Sequence, residues 1–157
     1  MRFALTFVLA LLGLVVSGRD VAAQSNTCTN VSGVIEGQII GPTAQCGGGL
    51  TEIGTFTGTG DGTFVACITP VRTNGNGTLF LSLTHTYTTL SGDTFTTTDT
   101  VVAAPVQPPV YRINNRVNVT GGTGALADAF GFFRTHGTVN LQTGVLSLTY
   151  RGRLCTP

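Results

Sequence analysis

The chain has 157 residues, eight arginines, no lysine and seven acidic residues, for a formal net charge of +1. With only 10% of residues charged, a near-neutral surface argues against nucleic acid and anionic membrane as partners, because both need clustered positive charge. The length is that of one ordinary domain with a single core.

Met1-Arg2 is a short basic start, Phe3 to Val16 is an apolar run interrupted only by Thr6, and Val21-Ala22-Ala23 supplies the small residues a signal peptidase reads. Residues 1–23 are therefore expected to be a secretory signal peptide, too short and wrongly flanked for a membrane span. Cleavage after Ala23 leaves a barrel-sized domain, residues 24–157, that is secreted or periplasmic and free of the membrane. Loss of Arg2, Arg19 and Asp20 leaves six arginines and six carboxylates, which cancel. Hydroxyl and amide side chains must then supply much of the solubility.

Cys28, Cys46, Cys67 and Cys155 make an even set, which favours disulfides in an exported chain. Three pairings are possible. The preferred one joins Cys28 to Cys155, tying the two ends, and Cys46 to Cys67, stapling a loop to a nearby strand. No cysteine pair has zinc-ligand spacing and the histidines lie far off in sequence. Neither a metal nor a cofactor is expected.

Val31 to Ile40 reads as a first strand, with Val31, Ile35 and Ile39 on one parity and Glu36 and Gln38 on the other. Gly41-Pro42 ends it, and Gln45 to Gly49 is a cysteine-bearing glycine loop. Leu50 to Thr57 and Thr63 to Ile68 follow as strands around an Asp61-Gly62 hairpin signal, with Pro70 just beyond. Asn74 to Gly77 is another turn cluster. Thr78 to Thr88 and Asp93 to Val102 form a pair joined through Leu90-Ser91-Gly92. Leu79, Leu81, Leu83, His85 and Tyr87 share one face of the first; Phe80 is the apolar misfit on the other. Phe95, Thr97, Asp99 and Val101 share a face of the second.

Ala103 to Pro109 carries Pro105, Pro108 and Pro109 and reads as a crossing loop or rim, since proline is excluded from interior strands. Val110 to Thr120 is a strand with Tyr111, Ile113, Asn115, Val117 and Val119 on one side and Arg112, Asn114, Arg116 and Asn118 on the other. Gly121-Gly122-Thr123-Gly124 invites comparison with a phosphate loop, but that loop needs a lysine opening a helix; a tight turn is the reading here. In the final hairpin, Phe133, Val139 and Leu141 alternate against Arg134, His136, Thr138 and Asn140. After a three-residue loop, Gln142-Thr143-Gly144, come Leu146, Leu148, Tyr150 and Leu154 against Ser147, Thr149, Arg151 and Arg153.

No helical-period segment of useful length remains. The fold class is all-β: a single antiparallel closed barrel of about eight strands, disulfide-stapled, favoured over a sandwich because closure removes exposed edges. Such a barrel is just wide enough to be packed solid or to hold one small ligand.

The run VTGGTGALADAFGFFRTHGTVNLQTG through LTYRGRLC, preceded by GDTFTTTDTVV, resembles a group of small exported bacterial proteins of the allene oxide cyclase barrel-like, dirigent-like kind. It covers roughly Asp93 to Cys155. The resemblance implies a calycin-type barrel with a central cavity that, in the better-known relatives, shapes a hydrophobic intermediate for stereoselective coupling or cyclisation. Their catalytic residues do not map one by one onto this chain.

A three-residue Leu90-Ser91-Gly92 loop sets Tyr87 against Phe95, His85 against Thr97 and Leu83 against Asp99. His85 and Asp99 then become diagonal neighbours on the apolar face, a candidate acid–base pair, although a satisfied structural contact is the commoner role of such a pair. Tyr87, Tyr111, Asn115 and Tyr150 share the inner parity and are candidates to orient a ligand. His136 reads as solvated. Arg112, Arg116, Arg151 and Arg153 read as solubilising side chains opposed by nearby acids, with an outward basic patch as the alternative. The threonine rows Thr84, Thr86, Thr88 and Thr94, Thr96, Thr98, Thr100 would suit a flat ice- or polysaccharide-binding array. Barrel twist spoils flatness, so they read as soluble strand formers. The leading expectation is a barrel binding a small hydrophobic ligand in its lumen. A dirigent-like or cyclase-like catalyst and a surface-binding or structural protein with a filled core are the alternatives.

Overall fold

The two-residue alternation produces strands and almost nothing else. The computed structural model describes residues 25–157, so the expected signal peptide and its cleavage point lie outside the described residues. The strands are β1 (Thr27–Pro42), β2 (Leu50–Gly58), β3 (Gly62–Thr73), β4 (Leu79–Thr89), β5 (Thr94–Gln107), β6 (Val110–Gly122), β7 (Phe130–Asn140) and β8 (Val145–Thr156). Each pairs antiparallel with the next and β8 returns to β1, closing an eight-stranded barrel. One end, called here the near end, carries the start of β1, the end of β8 and the β2–β3, β4–β5 and β6–β7 connections. The far end carries the β1–β2, β3–β4, β5–β6 and β7–β8 connections.

Both expected disulfides are present, and the described residues hold no free cysteine. Cys28 faces Cys155 in the β1–β8 ladder, so their bond crosses the seam where the sheet closes. Cys46 lies in a 3-10 turn, Ala44–Cys46, and its bond to Cys67 holds that turn against the outside of β3. The same loop covers Thr51, whose hydroxyl lies 2.6 Å from that of Thr43. That cover explains a buried threonine on the outward parity of β2.

Three expectations about segments need correction. Ala103 to Gln107 is strand, not a crossing loop. Pairing of β5 with β4 stops at Ala103, and the register with β6 shifts between Pro105 and Gln107. Pro105 therefore sits at an irregularity on a local edge, where a missing N–H costs little. Pro70 likewise lies inside β3, past the last β2 pair at Ile68 and at a register shift before Arg72. The final hairpin turns through Leu141 to Gly144, one residue earlier than expected. Asn140 causes this, because its side-chain oxygen accepts hydrogen bonds from the N–H groups of Gln142 and Thr143 at 2.9 and 3.2 Å. Gly144 closes the turn at φ 75°, as its place in the sequence predicts. Leu141 consequently leaves the inner alternation and is exposed.

The interior is filled by Phe64, Tyr87, Phe95, Phe133, Leu83, Val117 and their neighbours. Small inward positions make room for large ones, as a narrow barrel requires. A Cβ on Gly54 would stand 2.6 Å from Phe64 Cε1, and one on Gly33 would stand 2.7 Å from Tyr150 Cε1. Phe80, the outward misfit on β4, lies beneath the Arg72 guanidinium at 4.1 Å, a cation–π contact that shields it from water.

Candidate functional site in the barrel lumen

The lumen is divided into two chambers. The near-end chamber has a volume of about 340 Å³ and is lined by Val31, Ile35, Phe56, Phe95, Leu126, Phe133 and Tyr150, with threonines at its mouth. The far chamber, about 60 Å³, is lined by aliphatic side chains together with Glu52, His85, Asn115 and Thr135. Tyr87 and Ile35 border both, so they form the partition.

Sequence order builds that partition. Tyr87 is the inward residue of β4 just before Thr89 at the chamber mouth, and the register sets it directly against Phe95. The two rings stack with centroids 4.5 Å apart and planes 6° apart. Phe56 meets Tyr87 edge-on at 5.6 Å, and Phe133 does so at 6.2 Å. His85, one inward position deeper, stacks on Tyr87 at 5.1 Å. Such aromatic pairs contribute about 0.5–1.5 kcal/mol each beyond area burial, which makes the partition stiff. Burial also pushes the Tyr87 phenol well above its ordinary range, so it stays protonated.

Below the partition lies a polar cluster drawn from five strands. Asp99 Oδ1 accepts a hydrogen bond from the Thr97 hydroxyl at 2.6 Å, and Oδ2 accepts one from Asn115 Nδ2 at 2.8 Å. His85 Nδ1 lies 3.2 Å from the same Oδ2, but it is not aligned to make a hydrogen bond. The two groups are close without a directed bond. Asn115 Oδ1 and Thr135 Oγ1, on residues paired across β6 and β7, are buried with no protein partner. A polar guest in the far chamber can satisfy them, since buried polar groups rarely go unmatched.

Glu52 completes the cluster, and sequence reasoning missed it. Its parity on β2 is that of Gly54 and Phe56, which is inward, but Ile53 on the opposite parity blurs the alternation. The shared parity with Phe56 is the signal that could have found it. Burial pushes its carboxyl from 4.5 up to about 7; His85 counteracts the rise and Asp99 adds to it.

The other candidates separate by chamber. His85 and Asp99 come together as expected, with the hairpin register Tyr87 to Phe95, His85 to Thr97 and Leu83 to Asp99 as the loop length implies. Asn115 joins them, hydrogen-bonded to Asp99. Tyr150 lines the near chamber and Tyr87 the partition. Tyr111 packs half-buried against the core and borders neither chamber. His136 is exposed, with Nε2 3.1 Å from the Thr149 hydroxyl. No group of three or more potential metal ligands occurs among the described residues.

Fold and site define a closed antiparallel barrel with an aromatic-walled lumen and a buried acid–imidazole cluster. No family model and no curated protein matches the chain. Among solved structures, the pterocarpan synthase dirigent protein is similar over 98% of this chain and 97% of that one, at 15% identity and a TM-score of 0.33. A fit that loose carries no argument about fold or function; the barrel rests on its own strand register.

Proposed function

We propose that the protein binds a small, mostly apolar molecule in the near chamber. The observation that carries this reading is the chamber itself: about 340 Å³, open at one end and walled by Phe56, Phe95, Phe133 and Tyr150. Its size falls at the lower end of small-molecule sites, and its lining matches their usual character, apolar with a few polar groups at the edge. Thr27, Thr29, Thr59, Thr89 and Thr156 at the mouth supply hydroxyls for a polar substituent that points to solvent. The paired cysteines fit an exported protein working in an oxidising compartment. No cofactor has a role in this reading.

A fluorescent apolar probe such as N-phenyl-1-naphthylamine tests it. The wild type should bind one equivalent, and Leu126→Trp, which fills the mouth of the chamber, should weaken binding at least tenfold while leaving the fold intact. Equal binding by both proteins would remove the near chamber as the site.

One observation favours a second reading, a cyclase-like or dirigent-like catalyst. Glu52 is poised near neutrality beside His85 and Asp99, the condition a general acid or base needs. In that role Asp99 positions His85, and Glu52 or His85 moves the proton. The partition formed by Tyr87 must then move to admit an intermediate. Turnover that survives both Glu52→Gln and His85→Ala would eliminate this reading.

A further inference from the structure

Outside the lumen, the register gathers the chain's positive charge onto one face. Eight arginines less Arg2 and Arg19 leaves six, and five of them, Arg112, Arg116, Arg134, Arg151 and Arg153, are exposed on β6, β7 and β8. Arg116 faces Arg134 across β6–β7, and Arg134 faces Arg151 across β7–β8. Three guanidinium-bearing residues thus stand abreast, roughly 4.8 Å apart from strand to strand. The outer flanks are neutral: Thr100 beside Arg116, Ser32 beside Arg151, Asn30 beside Arg153 and Thr138 beside Arg112. Among the described residues no arginine forms a salt bridge. The expectation that nearby acids oppose these arginines is therefore wrong, because none of their in-register neighbours is acidic. Like charges directly opposite in a sheet are destabilising, and a local rule broken without a compensating partner marks a functional surface.

Beside the ridge is a groove of about 500 Å³ lined by Asn30, Ser32, Phe132, Arg151 and Arg153. Phe132 is 54% exposed there, and Phe130 on the same side of β7 is 39% exposed. We propose that this face binds an acidic polysaccharide: guanidinium forks take successive carboxylates, Asn30 and Ser32 take sugar hydroxyls, and Phe132 packs on a sugar face. Arginine suits this role because its planar fork matches carboxylate bidentately. The site is separate from the lumen and does not depend on the reading given for it. The disulfides place the surface in an oxidising compartment, which favours an extracellular polymer over nucleic acid. The amide and hydroxyl floor suits sugars better than the continuous aromatic platform that stacks successive bases.

The test is titration of the disulfide-intact protein with polygalacturonate, using neutral dextran and a DNA duplex as references, at low and at physiological salt. The expected result is binding of polygalacturonate that weakens with salt, no binding of dextran, and DNA bound at least tenfold more weakly. Arg134→Gln combined with Arg151→Gln should weaken polygalacturonate binding about tenfold or more, whereas Arg72→Gln, on the opposite side and engaged with Phe80, should not. Thermal unfolding of the double variant should be unchanged or improved, since a repulsion is relieved. Failure to bind polygalacturonate, or binding indifferent to the double variant, overturns the proposal. DNA binding as tight as that of polygalacturonate overturns the polysaccharide assignment and leaves a general polyanion surface.

Discussion

Glu52→Gln is the perturbation that reads the lumen most sharply. Glu52 is 7% exposed, and the pKa of its carboxyl rises from 4.5 to about 7 in the folded barrel. Below pH 4.5 both folded and unfolded chains hold the proton, so the group contributes its full share of stability. Between 4.5 and 7 the unfolded chain releases the proton while the folded chain keeps it, and stability falls as pH rises. Above 7 both states are ionised and the loss is complete. The difference of about 2.5 pKa units corresponds to about 3 kcal/mol, or roughly 10 °C in Tm for a domain of this size. Glutamine is isosteric with the neutral acid and does not titrate. Guanidinium denaturation of wild type and Glu52→Gln across pH 4.5 to 8, with disulfides intact, measures the difference. The two should coincide near pH 4.5 and separate by about 3 kcal/mol at pH 8, the variant being the more stable. Parallel curves for the two proteins would show that Glu52 is solvated in the folded state and would refute its placement.

Other consequences follow from the same packing. Gly54→Ala drives a methyl against the Glu36 carbonyl, Gly37 and Phe64 and should cost about 1–3 kcal/mol, read as a lower denaturation midpoint with unchanged m. Replacing both Cys28 and Cys155 by serine opens a link between residues 127 apart in sequence and should cost about 3–5 kcal/mol in the chain-entropy model. Calorimetry checks it, and an unchanged Tm would mean that strand pairing alone holds the seam. Asp99→Leu strands the Thr97 hydroxyl and the Asn115 amide and should cost about 3 kcal/mol. Adding Asn115→Leu to that variant should cost less than Asn115→Leu does alone, a coupling that a double-mutant cycle resolves.

Much of this fold was legible in the residues because the strand period is two and one face of each strand is dry. The β4–β5 pair shows the logic at its strongest. A short loop fixed the register, and the register alone brought His85 to Asp99. The β7–β8 pair shows its limit, since the Asn140 side chain captured two turn amides and shifted the loop by one residue without disturbing the ladder behind it. Pro70 and Pro105 misled for a physical reason. Proline is barred where both flanks are paired, and sequence does not reveal where a neighbouring strand stops. Glu52 escaped notice because a single charged residue inside a short strand looks like an outward one until its partners are known. The arginine ridge was hidden for a related reason. Each strand shows only its own alternation, and the abreast alignment of Arg116, Arg134 and Arg151 exists only across three strands. The Tyr87 partition was also beyond reach, because whether an inner row of rings leaves one cavity or two depends on ring tilt.

The central claim, that the near chamber holds a small apolar ligand, is tested most directly by native mass spectrometry of the protein purified from its own producer. The mass measured under native conditions should exceed that of the denatured, disulfide-bonded chain by one small molecule, and Leu126→Trp should abolish the excess. Identical native and denatured masses for the wild-type protein, with the chamber intact, would contradict it.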